Sequence, residues 1–206
     1  MPVDQRFGPT RRGGPVFRWL GEPLAIDLAN TVMIVRPERG DEAGGNVEGA
    51  VDLLAAPADL HRWLSAEGER LAGYAVDAES DLDAIHKLRG AVRALFGAAA
   101  EEREMPRQAL ALVNEASAAS PVAPQLVSGS SRPSVASLTW DRSVAGLLGS
   151  AARSAIELLT ATPEGELRVC LAPSCGMFYL GTRRWCCAAC GNRARAARHY
   201  RRHRAQ

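Results

Sequence analysis

The last forty residues combine five cysteines with a complete absence of carboxylates, and that pairing narrows what they can fold into. Cys170 and Cys175 have four residues between them, ten more lead to Cys186, and Cys190 follows after three, with Cys187 as an additional thiol. Two close pairs across a short loop are the usual way of holding tetrahedral zinc, because each pair forms one tight turn and the metal closes the loop. Disulfides compete for the same residues. They are disfavoured by the lack of cysteine in the first 166 residues, by an odd total of five and by the lack of a recognisable signal peptide. Four thiolates can also hold an iron–sulfur cluster, which stays open as the second metal reading.

Charge is sharply segregated. Residues 167–206 contain nine arginines and no Asp or Glu, so a chain of formal charge +2 leaves −7 for residues 1–166. Zinc with four thiolates still leaves the tail at about +7. A small metal-stapled module with that field suits a polyanion, most commonly nucleic acid. A merely solvated face is the alternative, but soluble surfaces normally mix signs, and nine cations without an acid repel one another. Candidate nucleic-acid contacts are Arg183, Arg184, Arg193, Arg195, Arg198, Arg201, Arg202 and Arg204. His199 and His203, four apart, share a helix face as in two-His zinc sites. Their distance from Cys175 is too long for a two-cysteine, two-histidine finger, and they read as surface histidines near phosphate.

Phe178 and Tyr179 before Gly181, with Trp185 after it, predict two short strands around a turn. Residues 193–204 lack Gly and Pro and predict a helix. Its wheel places Ala196, Ala197 and Tyr200 on a packing side, with Arg195, Arg198 and Arg202 opposite. A knuckle, a hairpin and then a helix carrying the last ligands is a treble-clef-like arrangement.

Arg184-Trp-Cys186, then Cys190-Gly-Asn-Arg193, with Cys170 and Cys175 upstream, resembles the CGNR zinc finger family. Bacterial members of that family usually pair the finger with an N-terminal ABATE domain and are described as stress-induced transcription regulators. Here Leu24-Ala-Ile-Asp-Leu-Ala-Asn-Thr31 is similar to that domain's opening Leu-Asp-x-x-Asn-Thr segment, and residues 53–64 resemble the stretch that follows. The resemblance implies Cys170, Cys175, Cys186 and Cys190 as ligands of one structural zinc ion, and a DNA-binding role. Many members carry one more residue before the last cysteine and a serine at the position of Cys187. Cys187 therefore stays open as the alternative third ligand, since Cys187-x-x-Cys190 is also a workable pair.

Upstream, 206 residues with 47% hydrophobic content allow one core of about 140 to 150 residues plus a small appendage. The expected organisation is a flexible arm over 1–20, a mainly α domain with a small β-hairpin over 21–163, and the finger over 164–206. Residues 24–35 fit either a helix opened by Pro23 or a strand, and helix is preferred. Residues 38–49 read as a Gly-rich loop and 57–66 as a helix burying Leu60, Trp63 and Leu64. Ser80 is the expected cap of a long helix with the stripe Leu82, Ile85, Leu88, Val92, Leu95 and Phe96. Pro106 opens a helix to about residue 118 that buries Leu110, Leu112 and Val113. Residues 125–127 and 135–140 flank a turn as a hairpin, 142–160 form a last amphipathic helix, and 162–165 are the linker.

Catalysis has little support: there is no phosphate loop, no Gly-x-Ser-x-Gly and no His-Glu-x-x-His, and His61 and His86 are isolated. Non-enzymatic, cytoplasmic function is the expectation, without a membrane span. Asp27 and Asn30 are polar residues inside an apolar stretch and need partners. They are read either as a structural pair tying that segment to a neighbour or as the polar end of an effector pocket. The resulting expectation is a regulator whose N-terminal domain senses a small molecule or forms a homodimer while the finger contacts DNA. A thiol/zinc redox switch built on Cys186 and Cys187, and a finger used for protein contact, are the alternatives.

Overall fold

The computed structural model describes residues 21–35, 49–128, 132, 134–138, 141–161, 166–173 and 175–204. The expected arm over 1–20, nearly all of the Gly-rich loop and the linker over 162–165 lie outside the described residues. Six α-helices are present among them: α1 (Leu24–Ala29), α2 (Pro57–Ala66), α3 (Ala78–Ala100), α4 (Arg107–Ala119), α5 (Val144–Ala161) and α6 (Ala188–Arg204). Three antiparallel strand pairs accompany them: β1 (Val32–Val35) with β2 (Gly49–Asp52), β3 (Ala123–Val127) with β4 (Ser134–Leu138), and β5 (Leu167–Val169) with β6 (Phe178–Leu180). The protein is mainly helical with small strand pairs, as its patterning predicts.

The long helix α3 is the spine of the core. Ile85, Leu88, Val92, Leu95 and Phe96 are buried along one stripe, at the spacing of a 3.6-residue helix, and Leu82 is half-buried. Its cap is Asp77, not Ser80: the Asp77 carboxylate accepts from the Glu79 backbone N–H at 3.1 Å and from the Ser80 hydroxyl at 3.0 Å. Ser80 is thus a donor to the cap, and the helix begins three residues earlier than the serine suggests. α5 packs on α1, α3 and α4 through Leu147, Ala151, Ala152, Ala155 and Leu158. Close approach to α4 requires Gly149, where an added Cβ would lie 2.9 Å from Ser120 Cβ and 3.1 Å from the Ala116 carbonyl oxygen. By length and composition α5 is also apolar enough to cross a membrane, but here it supplies one wall of the core.

Two further expectations are corrected. The segment over 24–35 is not one helix: α1 stops at Ala29, and residues 32–35 pair with 49–52 in register Val32↔Asp52 to Val35↔Gly49. Thr31 turns the chain, its hydroxyl donating to the Leu28 carbonyl at 2.7 Å and its own carbonyl accepting from Leu53 N–H at 2.8 Å. The β-branched residues that follow then favour a strand once a partner exists across the loop. In α4, Val113 is buried and Leu112 half-buried, but Leu110 is exposed, because that helix buries only a narrow face with Ala109.

Candidate metal centre and cationic helix

β5 and β6 flank the turn that carries Cys170 and Cys175, so the finger's hairpin lies upstream of the position expected for it. The pairing runs Leu167↔Leu180, Arg168↔Tyr179 and Val169↔Phe178, and no described strand includes Trp185. The ladder closes with Cys170 N–H donating to the Met177 carbonyl at 2.9 Å, which fixes the first thiol pair on a rigid turn. The second pair is held by α6, which starts at Ala188 and already contains Cys190, Gly191 and Asn192. Hairpin, turn and ligand-bearing helix give the treble-clef-like shape, with the helix five residues longer at its start than the Gly-Asn pair suggested.

The Sγ atoms of Cys170, Cys175, Cys186 and Cys190 all lie within 4.8 Å of one another, with 3.8 Å between Cys175 and Cys186 and 3.4 Å between Cys186 and Cys190. Tetrahedral zinc with bonds of about 2.3 Å places its sulfurs about 3.8 Å apart, so the cluster has the right size. Neighbouring thiols, Cys175 first, pull Cys170 below the ordinary thiol range, while the same contacts, Cys170 first, push Cys186 above it. Thiols this close cannot all ionise without a cation among them. All four positions are sulfur, which suits a closed structural site and leaves none for water. Cys187 lies outside the set, with its Sγ 3.9 Å from Cys186 Sγ and accepting from the Cys190 N–H at 3.4 Å.

Arg193 belongs to this centre as well. Its Nη2 donates to Cys190 Sγ at 3.0 Å, and the thiolate raises its pKa against the opposing effect of burial. A residue read from charge as a phosphate contact therefore neutralises part of the sulfur cluster's negative charge. Gly191 is explained by Trp185: a Cβ there would lie 3.2 Å from Trp185 Cδ1. The inward side of α6 is Cys190, Gly191 and Ala194, whereas Ala196 is exposed and Tyr200 is 62% exposed. The expected packing side was rotated because the cysteine ligand, not the alanines, sets which face turns inward. Arg195, Arg198, Arg201 and Arg202 are exposed along the helix, Arg183 lies over the Tyr179 ring and Arg184 over the Trp185 ring, and the side chain of Arg204 lies outside the described residues.

The finger is joined to the helical domain by Asn30, which is 1% exposed. Its Nδ2 donates to the Phe178 carbonyl at 3.0 Å and its Oδ1 accepts from the Phe178 N–H at 2.8 Å. The register explains this. Cys170 bonds Met177, and Gly181 bonds Glu166, so the intervening Val169↔Phe178 pair is of the non-hydrogen-bonded kind and both polar groups of Phe178 point away from β5. Asn30 meets them as an adjoining strand would. The Phe178 ring sits edge-on to Phe96 at 5.5 Å and under the Arg93 guanidinium at 5.3 Å, and Phe178 and Leu167 are part of the helical domain's own core.

Asp27 turns to a different partner: it accepts from Arg70 at 2.5 Å and from the Gly21 N–H at 3.0 Å. Burial outweighs Arg70 and pushes its pKa up to about 7. Nearby, Arg89 makes a two-point pair with Asp52 at 2.6 Å and 2.6 Å and reaches Thr31, and Arg93 donates to the carbonyls of Ala29 and Val32. Arg89 and Arg93 were not foreseen, since an arginine four residues from another on a helix looks like surface charge until its partners are placed. His86 is half-buried, with Nε2 2.7 Å from the Leu54 carbonyl.

The architecture is a helical domain fused to a four-cysteine, metal-stapled finger. The family model described as "ABATE: Putative stress-induced transcription regulator" matches residues 22–162, and the CGNR zinc finger model matches residues 166–203. The chain belongs to the ABATE family and ends in a CGNR zinc finger. The finger and its cysteine cluster fit one structural zinc ion. No curated protein matches the chain.

Proposed function

We propose that this regulator binds DNA through the exposed arginines of α6. The observation that carries the reading is an exposed row, Arg195, Arg198 and Arg202, on a zinc-anchored helix within forty residues that contain no acid. Phosphate contacts release counterions, so each one lost lowers the salt slope of binding by about 0.9 and weakens all sequences alike. An arginine bidentate to guanine instead costs about 1 to 3 kcal/mol on the preferred site alone. One short helix offers few base contacts, and sequence specificity then calls for a dimer on paired half-sites. Affinity measured across a salt series, in wild type and in the Arg195/Arg198/Arg202→Ala triple variant, tests this. Unchanged affinity and slope, with zinc retained, would leave the finger as a protein-contact module.

Cys187 supports a second reading as a redox switch. Peroxide would take two electrons from the Cys186 and Cys187 thiols, forming a disulfide and two waters and removing a ligand from zinc. Zinc release on peroxide treatment, abolished in Cys187→Ser, is the expected sign.

A further inference from the structure

His199 and His203 stand on α6 apart from the thiolate cluster, and their geometry is specific. Nε2 of one is 3.2 Å from Nε2 of the other, with ring centroids 4.4 Å apart, and both side chains are exposed. We propose that these two imidazoles form a second, exchangeable metal site that takes a borderline divalent ion such as zinc or nickel.

Three observations carry this. First, the spacing is that of a chelate: with metal–nitrogen bonds of about 2.0 to 2.1 Å, donors 3.2 Å apart subtend about 100° at the metal, between octahedral and tetrahedral values. Both Nε2 lone pairs can face one ion without any change of helix geometry, because residues four apart share a face. Second, both imidazoles are exposed, so an ion reaches them directly from solvent. Third, the arginines of the preceding turn are turned away from it. Arg195 Nη2 donates to the Asn192 side chain and Arg198 Nε donates to the Ala194 carbonyl at 3.3 Å.

Two protein ligands leave further positions to water, so the ion exchanges, unlike the closed sulfur site. The surrounding arginines oppose a dication through solvent, and salt screens that opposition. Zinc affinity at the histidines therefore rises with ionic strength, the reverse of the salt dependence of a polyanion contact.

The test uses the full chain with its structural zinc in place, titrated with further zinc by calorimetry while metal content is measured. Wild type binds one additional equivalent that dialysis removes while the first remains. Chelation makes the second histidine's binding intramolecular, so His199→Ala or His203→Ala weakens this equivalent by about a hundredfold, with the first zinc and helix content unchanged. His61→Ala, remote on α2, changes nothing. Absence of the additional equivalent in wild type, or its persistence in the His199/His203→Ala double variant, would overturn the site and leave the histidines as a hydrogen-bonded pair only.

Discussion

Asn30 shows how one amide can do the work of a strand edge. Its two bonds satisfy the buried N–H and carbonyl of Phe178, so Asn30→Ala leaves both unpaired and should cost roughly 2 to 4 kcal/mol in denaturant unfolding. Asn30→Asp keeps the acceptor but loses the donor and should also destabilise, which separates hydrogen bonding from side-chain volume. Asp27 makes a different prediction. Its pKa is raised from 3.8 to about 7 in the folded protein, so the folded state favours the proton. The associated stability is fully present below about pH 4 and is lost as pH rises through about 7. Asp52 has the opposite sign: Arg89 helps hold its pKa below the ordinary value against burial, so its contribution is lost only as the pH falls into the acid range. Thermal unfolding of Asp27→Asn beside wild type between pH 4 and 7 should therefore show a slope in the wild type that the variant lacks.

At the scale of elements, the buried stripe of α3 predicts that Leu95→Ala costs about 2 to 5 kcal/mol, whereas the exposed Leu110 of α4 tolerates the same change within about 0.5 kcal/mol. These elements were legible because their apolar spacing is a local property of the sequence. β1 was not legible, since Val32 to Val35 becomes a strand only through pairing with residues 49–52 beyond a loop. The finger divides in the same way. Cysteine spacing pointed to the four thiols that the structure gathers, but nothing local could say that Cys190 would set the inward face of α6 or that Arg193 would turn to sulfur. Cys186→Ser should accordingly release zinc while Cys187→Ser retains it, and metal analysis of the two purified variants distinguishes them. Retention in the first and loss in the second would exchange the third ligand.

Across the whole molecule, the finger is not an appendage on a tether. Phe178 and Leu167 are buried with Phe96 and Leu28 in one core, and the same short hairpin continues into the turn of Cys170 and Cys175. Zinc thus braces the turn of a hairpin that Asn30 and Arg93 grip at Phe178, three residues beyond Cys175. A binding event that orders a shared element must be strengthened by whatever else orders it, and the coupling is reciprocal. Two outcomes follow for one set of measurements. Chelating the zinc should lower the unfolding temperature of the entire chain in a single transition, where an independent finger would leave the helical domain unmoved. Conversely, Asn30→Ala, a substitution that touches no cysteine, should weaken zinc binding measured against a competing chelator. Equal zinc affinity in Asn30→Ala and wild type would show that the two parts share a contact without sharing stability. A lowered affinity would mean that any event altering the α1 segment is felt at the metal, and through α6 at the arginines it positions.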